Sequence, residues 1–185
     1  MKCPICKIHS LGAITLVEKL PANQCANCGG VWISSNAYMS WWKAKGEDLP
    51  QKQAGSPSDL YWHGHVDELK LCPESGHIMG RYKIFPDTEF YLDRCGHCNG
   101  IWFDKNEWDV LVERNLHDNV NEFFTRPWQD ELHATETHNH LEKLYLDKLG
   151  AEDYERIKHI REWIKDHPKQ GMLIAFLQAE DPYKV

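Results

Sequence analysis

Six of the seven cysteines fall into Cys-x-x-Cys pairs, and the pattern repeats once along the 185-residue chain. Gln24 to Ser34 reads QCANCGGVWIS and Arg94 to Asp104 reads RCGHCNGIWFD. Each has two cysteines three apart, then glycine, then a tryptophan four residues after the second cysteine. A Cys-x-x-Cys turn aims both sulfurs at one point while backbone N–H groups face the thiolates, and a glycine beside it can take the positive φ the turn requires. Another cysteine motif precedes each doublet at nearly the same offset: Cys3-Pro4-Ile5-Cys6 before Cys25, and Cys72-Pro73-Glu74-Ser75 before Cys95. Two such knuckles make a tetrahedral zinc site, so the first copy offers Cys3, Cys6, Cys25 and Cys28 as ligands. The first pair echoes the Cys-Pro-x-Cys of a redox protein, but that motif opens a helix after a buried strand, whereas here a second pair follows 22 positions on, from Cys3 to Cys25.

CPIC followed by CANCGGVW, and CPES followed by CGHCNGIWFDKNEW, resemble the TFIIB-type transcription factor zinc-finger ribbons over about residues 1–45 and 70–113. The resemblance implies an α+β fold of two tandem zinc-ribbon modules, each a small β-hairpin plus helix, holding two structural zinc ions. It speaks to fold rather than to activity, because one scaffold hosts many functions. The second copy departs from the pattern at Ser75, where a neutral hydroxyl replaces the second cysteine. His77 is close enough in sequence to bring an imidazole into that place, so the expected second site is Cys72, His77, Cys95 and Cys98. The alternative is a second ribbon without metal, held by Trp102, Phe85, Tyr91 and the following helix. His63, His65 and His97 are expected as surface residues.

Order along the chain follows from these anchors. Residues 1–45 are expected as the first ribbon and its helix, with a strand over 13–18, a turn at Leu20 to Asn23, a short strand at Val31 to Ile33, and a helix capped by Ser34 or Ser35. Neighbouring side chains on a helix point about 100° apart, so only one of Trp41 and Trp42 can face inward. Residues 46–69, which include GEDLPQKQAGSPSD, read as a linker. Residues 70–125 form the second ribbon, with strands over 78–85 and 88–93 joined at Pro86-Asp87. Asp104-Lys105-Asn106-Glu107 then reads as a capping box for a helix through Trp108 that could continue to Phe124. Residues 126–185 are expected to be helical, with breaks at Gly150 and at His167-Pro168. The twin ribbons are expected to pack face to face through the tryptophans of their helices, Trp41, Trp42 and Trp108.

Composition narrows the functional classes. Residues 1–70 carry seven basic and six acidic side chains, 71–114 five and eight, and 115–185 nine and fourteen, within a net charge of −7. Phosphate binding needs a basic stripe, so nucleic acid is a disfavoured partner, with a local patch of Lys2, Lys7, Lys19, Lys43 and Lys45 as its one opening. The first residues, MKCPICKIHS, lack an apolar signal-peptide core, no run reaches membrane-spanning length, and cysteines spaced for metal fit a reducing, cytoplasmic setting. A catalytic zinc of the deaminase kind would need a His-x-Glu beside it, and none accompanies the second ribbon. His133, His138 and His140 lie among Glu131, Glu136 and Glu142, but without matching motifs on other helices they read as a polar solvent face. The sequence thus points to a non-enzymatic zinc-binding adaptor for a protein partner, with homodimerisation open. A nucleic-acid-associated regulator is the alternative, and a thiol-based redox sensor or chaperone the third reading.

Overall fold

The computed structural model describes residues 1–45, 69–86 and 88–184. The expected linker therefore lies outside the described residues except for Leu69, as do His63, His65 and Asp87. The chain divides into two compact units, Met1–Ala134 and Thr135–Val185.

In the first unit, strand alternation sets the layers. Successive side chains of a strand point to opposite faces. In β3 (Val31–Ile33) and β6 (Ile101–Phe103), the outer pairs Val31, Ile33, Ile101 and Phe103 join one buried cluster, while Trp32 and Trp102 join another made with the cysteines. These two strands pair antiparallel with Trp32 opposite Trp102. Around them stand β1 (Gly12–Thr15), β2 (Pro21–Gln24), β4 (Met79–Lys83) and β5 (Tyr91–Cys95). All six form one sheet in the order β1-β2-β3-β6-β5-β4. The two ribbons are therefore halves of a single antiparallel sheet, joined edge to edge about a pseudo-two-fold axis between the tryptophans. This corrects the expected face-to-face packing. The physical gain is that each ribbon's third strand, an exposed edge in isolation, is paired by its twin.

The helices α1 (Ser35–Lys45) and α2 (Glu107–Glu113) cover the aliphatic and aromatic face. Ser34 Oγ accepts the Ala37 N–H at 3.3 Å, which is the expected cap of α1. Trp41 is buried and Trp42 exposed, as the helical angle requires. Trp41 and Trp108 each place their ring 5.9 Å from the His117 imidazole, so the two post-ribbon helices meet around one residue.

Three local expectations are corrected. The first reversal lies at Leu16 to Leu20, not Leu20 to Asn23: Glu18 and Lys19 take positive φ, Leu16 N–H bonds to Leu20 O at 2.8 Å, and buried Leu20 and Ala22 are thereby drawn into the core. The α2 helix stops at Glu113 and does not reach Phe124, because Asn115 turns left-handed and Leu116 N–H closes back on Leu111 O at 2.8 Å. In the capping box, Glu107 does reach back to the Asp104 N–H at 2.7 Å, but the Asp104 carboxylate turns to Lys70 and Trp102, and the left-handed Asn106 takes the N-cap position without a side-chain cap hydrogen bond.

The helix α3 (Arg126–Leu149) begins in the first unit, with Pro127 in its first turn where a missing N–H costs nothing. Its remainder, with α4 (Ala151–Lys165) and α5 (Gln170–Gln178), makes the second unit. Gly150, at φ 77°, ends α3 as expected, and Tyr154 Oη bonds Glu142 Oε1 at 3.2 Å to tie α4 to α3.

Candidate metal centres

Both knuckles of each ribbon follow one hydrogen-bond plan. Cys25 N–H donates to Gly30 O and Gly29 N–H to Cys25 O, and Cys95 and Asn99 repeat this with Gly100 and Cys95, all at 2.9 Å. The residue after the second cysteine is left-handed in both, Gly29 in one ribbon and Asn99 in the other. Asparagine is among the few side chains that accept this conformation. The leading knuckles match as well: Lys7 N–H donates to Cys3 O and Gly76 N–H to Cys72 O, both at 2.9 Å.

These turns bring Cys3, Cys6, Cys25 and Cys28 together, their sulfurs all within 4.8 Å of one another. Cys3 Sγ lies 3.6 Å from Cys28 Sγ, and Cys25 Sγ 3.8 Å from Cys6 Sγ. A tetrahedron with Zn–S bonds of about 2.3 Å has edges of about 3.8 Å, so the spacing fits the ion. Local N–H donors add to the fit. Cys6 N–H faces Cys3 Sγ at 3.3 Å and Asn27 Nδ2 faces Cys6 Sγ at 3.2 Å. Burial raises the Cys25 thiol, but the backbone N–H groups of Cys28 and Asn27 outweigh it and bring the pKa to about 7. Burial and the neighbouring sulfurs push Cys28 up. One thiolate is thus stabilised while further ones are opposed, and a divalent cation relieves that opposition.

In the second ribbon the structure brings together Cys72, Cys95 and Cys98. Cys72 Sγ and Cys98 Sγ are 3.5 Å apart. Burial raises Cys95, but the N–H groups of Cys98 and His97 and the Ser75 side chain bring it down to about 6, while burial raises Cys98 to about 12. The structure does not bring His77 into this group: its ring lies stacked on that of His97, with centroids 4.4 Å apart, and both are exposed. Ser75 Oγ instead sits 3.3 Å from Cys95 Sγ. His133, His138 and His140 are exposed along α3.

The two centres interlock through the tryptophans. A Cβ on Gly30 would lie 2.2 Å from Trp102 Cζ2, and a Cβ on Gly100 would lie 2.2 Å from Trp32 Cζ2. Each indole therefore rests on the knuckle glycine of the other ribbon, and only glycine admits so close an approach. Beside Trp102 lies a buried group that sequence reasoning missed. Lys70 Nζ meets Asp104 Oδ2 at 2.8 Å and Asp93 Oδ2 at 2.5 Å, while Asp104 Oδ1 accepts the Trp102 Nε1–H at 2.7 Å. Burial raises the Asp93 carboxyl against the pull of Lys70 and Arg81, and burial with the Asp104 charge raises Glu107 well above the ordinary range. In the first ribbon the matching positions are Met1, Asn23, Ser34 and Ala37, and Trp32 Nε1 has no hydrogen-bond partner among the described residues. Strand alternation places Asp93 on the face of Cys95, the one sequence signal that could have found it.

Cysteines converging from paired knuckles on a short antiparallel sheet fit zinc ribbons. Residues 2–44 and 71–114 each match the family model for the TFIIB-type zinc ribbon, described as a transcription factor zinc-finger. The two matched segments are thus similar to that ribbon, and a helical C-terminal region follows them. Comparison with curated proteins and with solved structures returned no match.

Proposed function

We propose that this chain is a non-enzymatic adaptor whose ribbons use zinc to hold a rigid sheet and whose C-terminal helices dock a protein partner. The observation that carries the reading is the apolar surface of the second unit. Among its described residues Ile164 alone is buried, while Trp163 is 59 % exposed, Leu177 61 %, Tyr145 51 % and Ile157 51 %. Single exposed apolar residues are ordinary, but this density on three consecutive helices marks a surface that works in contact with another molecule. No helix among the described residues is long and apolar enough to cross a membrane. On this reading both ribbons are scaffolding: they fix the start of α3 through Trp128, whose ring lies 4.9 Å from that of Phe123 in the core.

The test is a pair of full-length variants, W163D and L177D, compared with wild type by crosslinking in cells, sedimentation velocity and elemental analysis. Loss of a specific crosslinked species with unchanged metal content supports protein docking. A shift in sedimentation alone assigns the surface to self-association, and unchanged crosslinks and sedimentation refute it. Titration with labelled DNA and RNA at two salt concentrations runs beside it, since tight binding that weakens steeply with salt would favour a nucleic-acid regulator.

A further inference from the structure

The pseudo-two-fold axis maps Cys6 of the first centre onto Ser75 of the second. The correspondence holds in the backbone, for Cys6 N–H and Ser75 N–H each face the sulfur three residues before them at 3.3 Å. The following turn is left-handed in both ribbons, at Lys7 and at Gly76. It also holds in the side chains: Cys6 Sγ lies 3.8 Å from Cys25 Sγ, and Ser75 Oγ lies 3.3 Å from Cys95 Sγ. The fold therefore builds the fourth corner of the second centre in full and places a neutral hydroxyl there. The two imidazoles that could have competed for the corner, His77 and His97, stack on one another outside it.

A hydroxyl is a weak donor to zinc beside three thiolates, and water or a stronger ligand displaces it readily. Ser75 is also only half-buried, so the corner opens toward solvent, whereas Cys72 and Cys95 behind it are buried. We infer that the second centre is a three-cysteine metal site with an exchangeable fourth position, held by Ser75 at rest, which takes a thiolate from outside the chain. A soft sulfur donor completes the tetrathiolate set that the first ribbon has internally. A second copy of this chain has no cysteine to lend, since all seven belong to the two clusters. The donor is therefore a free small thiol or a cysteine of another polypeptide. The exchange involves no change of oxidation state: the metal–oxygen contact to Ser75 breaks, a metal–sulfur bond forms, and the thiol proton passes to solvent.

The full chain loaded with Co2+ in place of zinc tests this, because thiolate-to-cobalt charge-transfer absorption counts sulfur ligands. The first centre, with four cysteines, serves as the internal control for metal loading. Wild type is expected to bind two Co2+, with the second centre's charge-transfer intensity rising by about a third as three thiolates become four on titration with 2-mercaptoethanol. S75C is expected to show four thiolates at both centres from the outset and no response. H77A is expected to respond as wild type does. A cysteine-containing peptide and its serine analogue distinguish the sources: response to the small thiol shows that free thiols suffice, and response to the cysteine peptide alone assigns the position to a protein ligand. The inference is overturned if wild type takes up one Co2+ while S75C takes up two. It is also overturned if both centres load and neither thiol changes the spectrum, or if H77A alone abolishes a histidine-type spectrum at the second centre.

Discussion

Replacing Gly30 by alanine tests the interlock of the two ribbons directly. The new methyl would lie 2.2 Å from Trp102 Cζ2 and 2.8 Å from Cη2, where carbon atoms ordinarily sit about 3.5–4.0 Å apart. The indole would have to move by more than about 1 Å, and it is fully buried, with its N–H held by Asp104 at 2.7 Å. Overpacking of this kind costs about 1–3 kcal/mol, and loosening a hydrogen bond to a charged carboxylate adds about 1.5–3. The reduced freedom of alanine in the unfolded chain returns about 0.4–1 kcal/mol. G30A should therefore destabilise by about 3 kcal/mol, although neither ligand set is touched and Gly30 needs no positive φ.

A double-mutant cycle separates this clash from any local effect on the knuckle. W102A alone should cost about 3–5 kcal/mol, as large-to-small changes in a core do. In G30A/W102A the methyl has nothing to strike, so the pair should be less destabilised than the sum of the singles by about 1–3 kcal/mol. The mirror pair G100A/W32A should behave likewise, and the uncrossed pair G30A/W32A should show no such relief. The assay is urea unfolding at a fixed, buffered free-zinc concentration, since metal bound to the folded state sets the apparent stability. G30A within about 0.5 kcal/mol of wild type, or a strictly additive cycle, would refute the edge-to-edge arrangement.

Two further changes probe the shared core. Tyr38 Oη donates to His117 O at 3.0 Å and accepts the Val120 N–H at 3.2 Å, so Y38F leaves a buried N–H unpaired and should cost about 1–3 kcal/mol by the same unfolding assay. Glu107 has its folded pKa raised above the ordinary value of 4.5, first by burial and then by the Asp104 charge. Its contribution to stability is complete below that value and is lost as pH rises toward the folded pKa. E107Q keeps an acceptor for the Asp104 N–H but cannot ionise, so its stability relative to wild type should increase as pH rises above 4.5 toward the folded pKa. A pH-independent difference would show that Glu107 does not titrate with unfolding.

Much of the ribbon was legible because metal geometry is local. Cys3, Cys6, Cys25 and Cys28 need only the turn spacing, and the strand Val31–Ile33, the Ser34 cap and the Gly150 break follow from patterns a few residues long. The pairing of β3 with β6 was not legible. It joins segments 70 residues apart through backbone hydrogen bonds, which carry no side-chain signature, although the repeated Gly-x-Trp is the residue pair it requires. The fourth corner of the second site differs from the expectation for a related reason. Nearness in sequence favoured His77, whereas the turn geometry gives the fourth corner to the residue three after Cys72, and Ser75 holds that place whatever its chemistry. The buried Lys70 was invisible because its partners arrive from elsewhere, Asp93 from the middle of β5 and Asp104 from just past the end of β6.

The crossed tryptophans are also expected to couple metal binding at the two centres. Metal at the first centre fixes the Cys25–Cys28 knuckle and with it Gly30, the surface on which Trp102 rests. Trp102 in turn packs in one buried cluster with Cys72 and Cys95 of the second centre. Emptying the first centre should therefore soften the wall of the second without changing any of its ligands. Coupling between sites through a packed contact is typically worth about 1–3 kcal/mol, a factor of about 5–150 in affinity. C25A/C28A, which leaves the first centre only two of its four cysteines, should accordingly weaken Co2+ binding at the second by about tenfold or more, measured by competition with a chelator of known affinity. By reciprocity, C95S should weaken the first centre by a similar factor. Unchanged affinity in both variants would mean that the ribbons share a sheet but not their metal energetics, and the Gly30–Trp102 contact would then be packing alone.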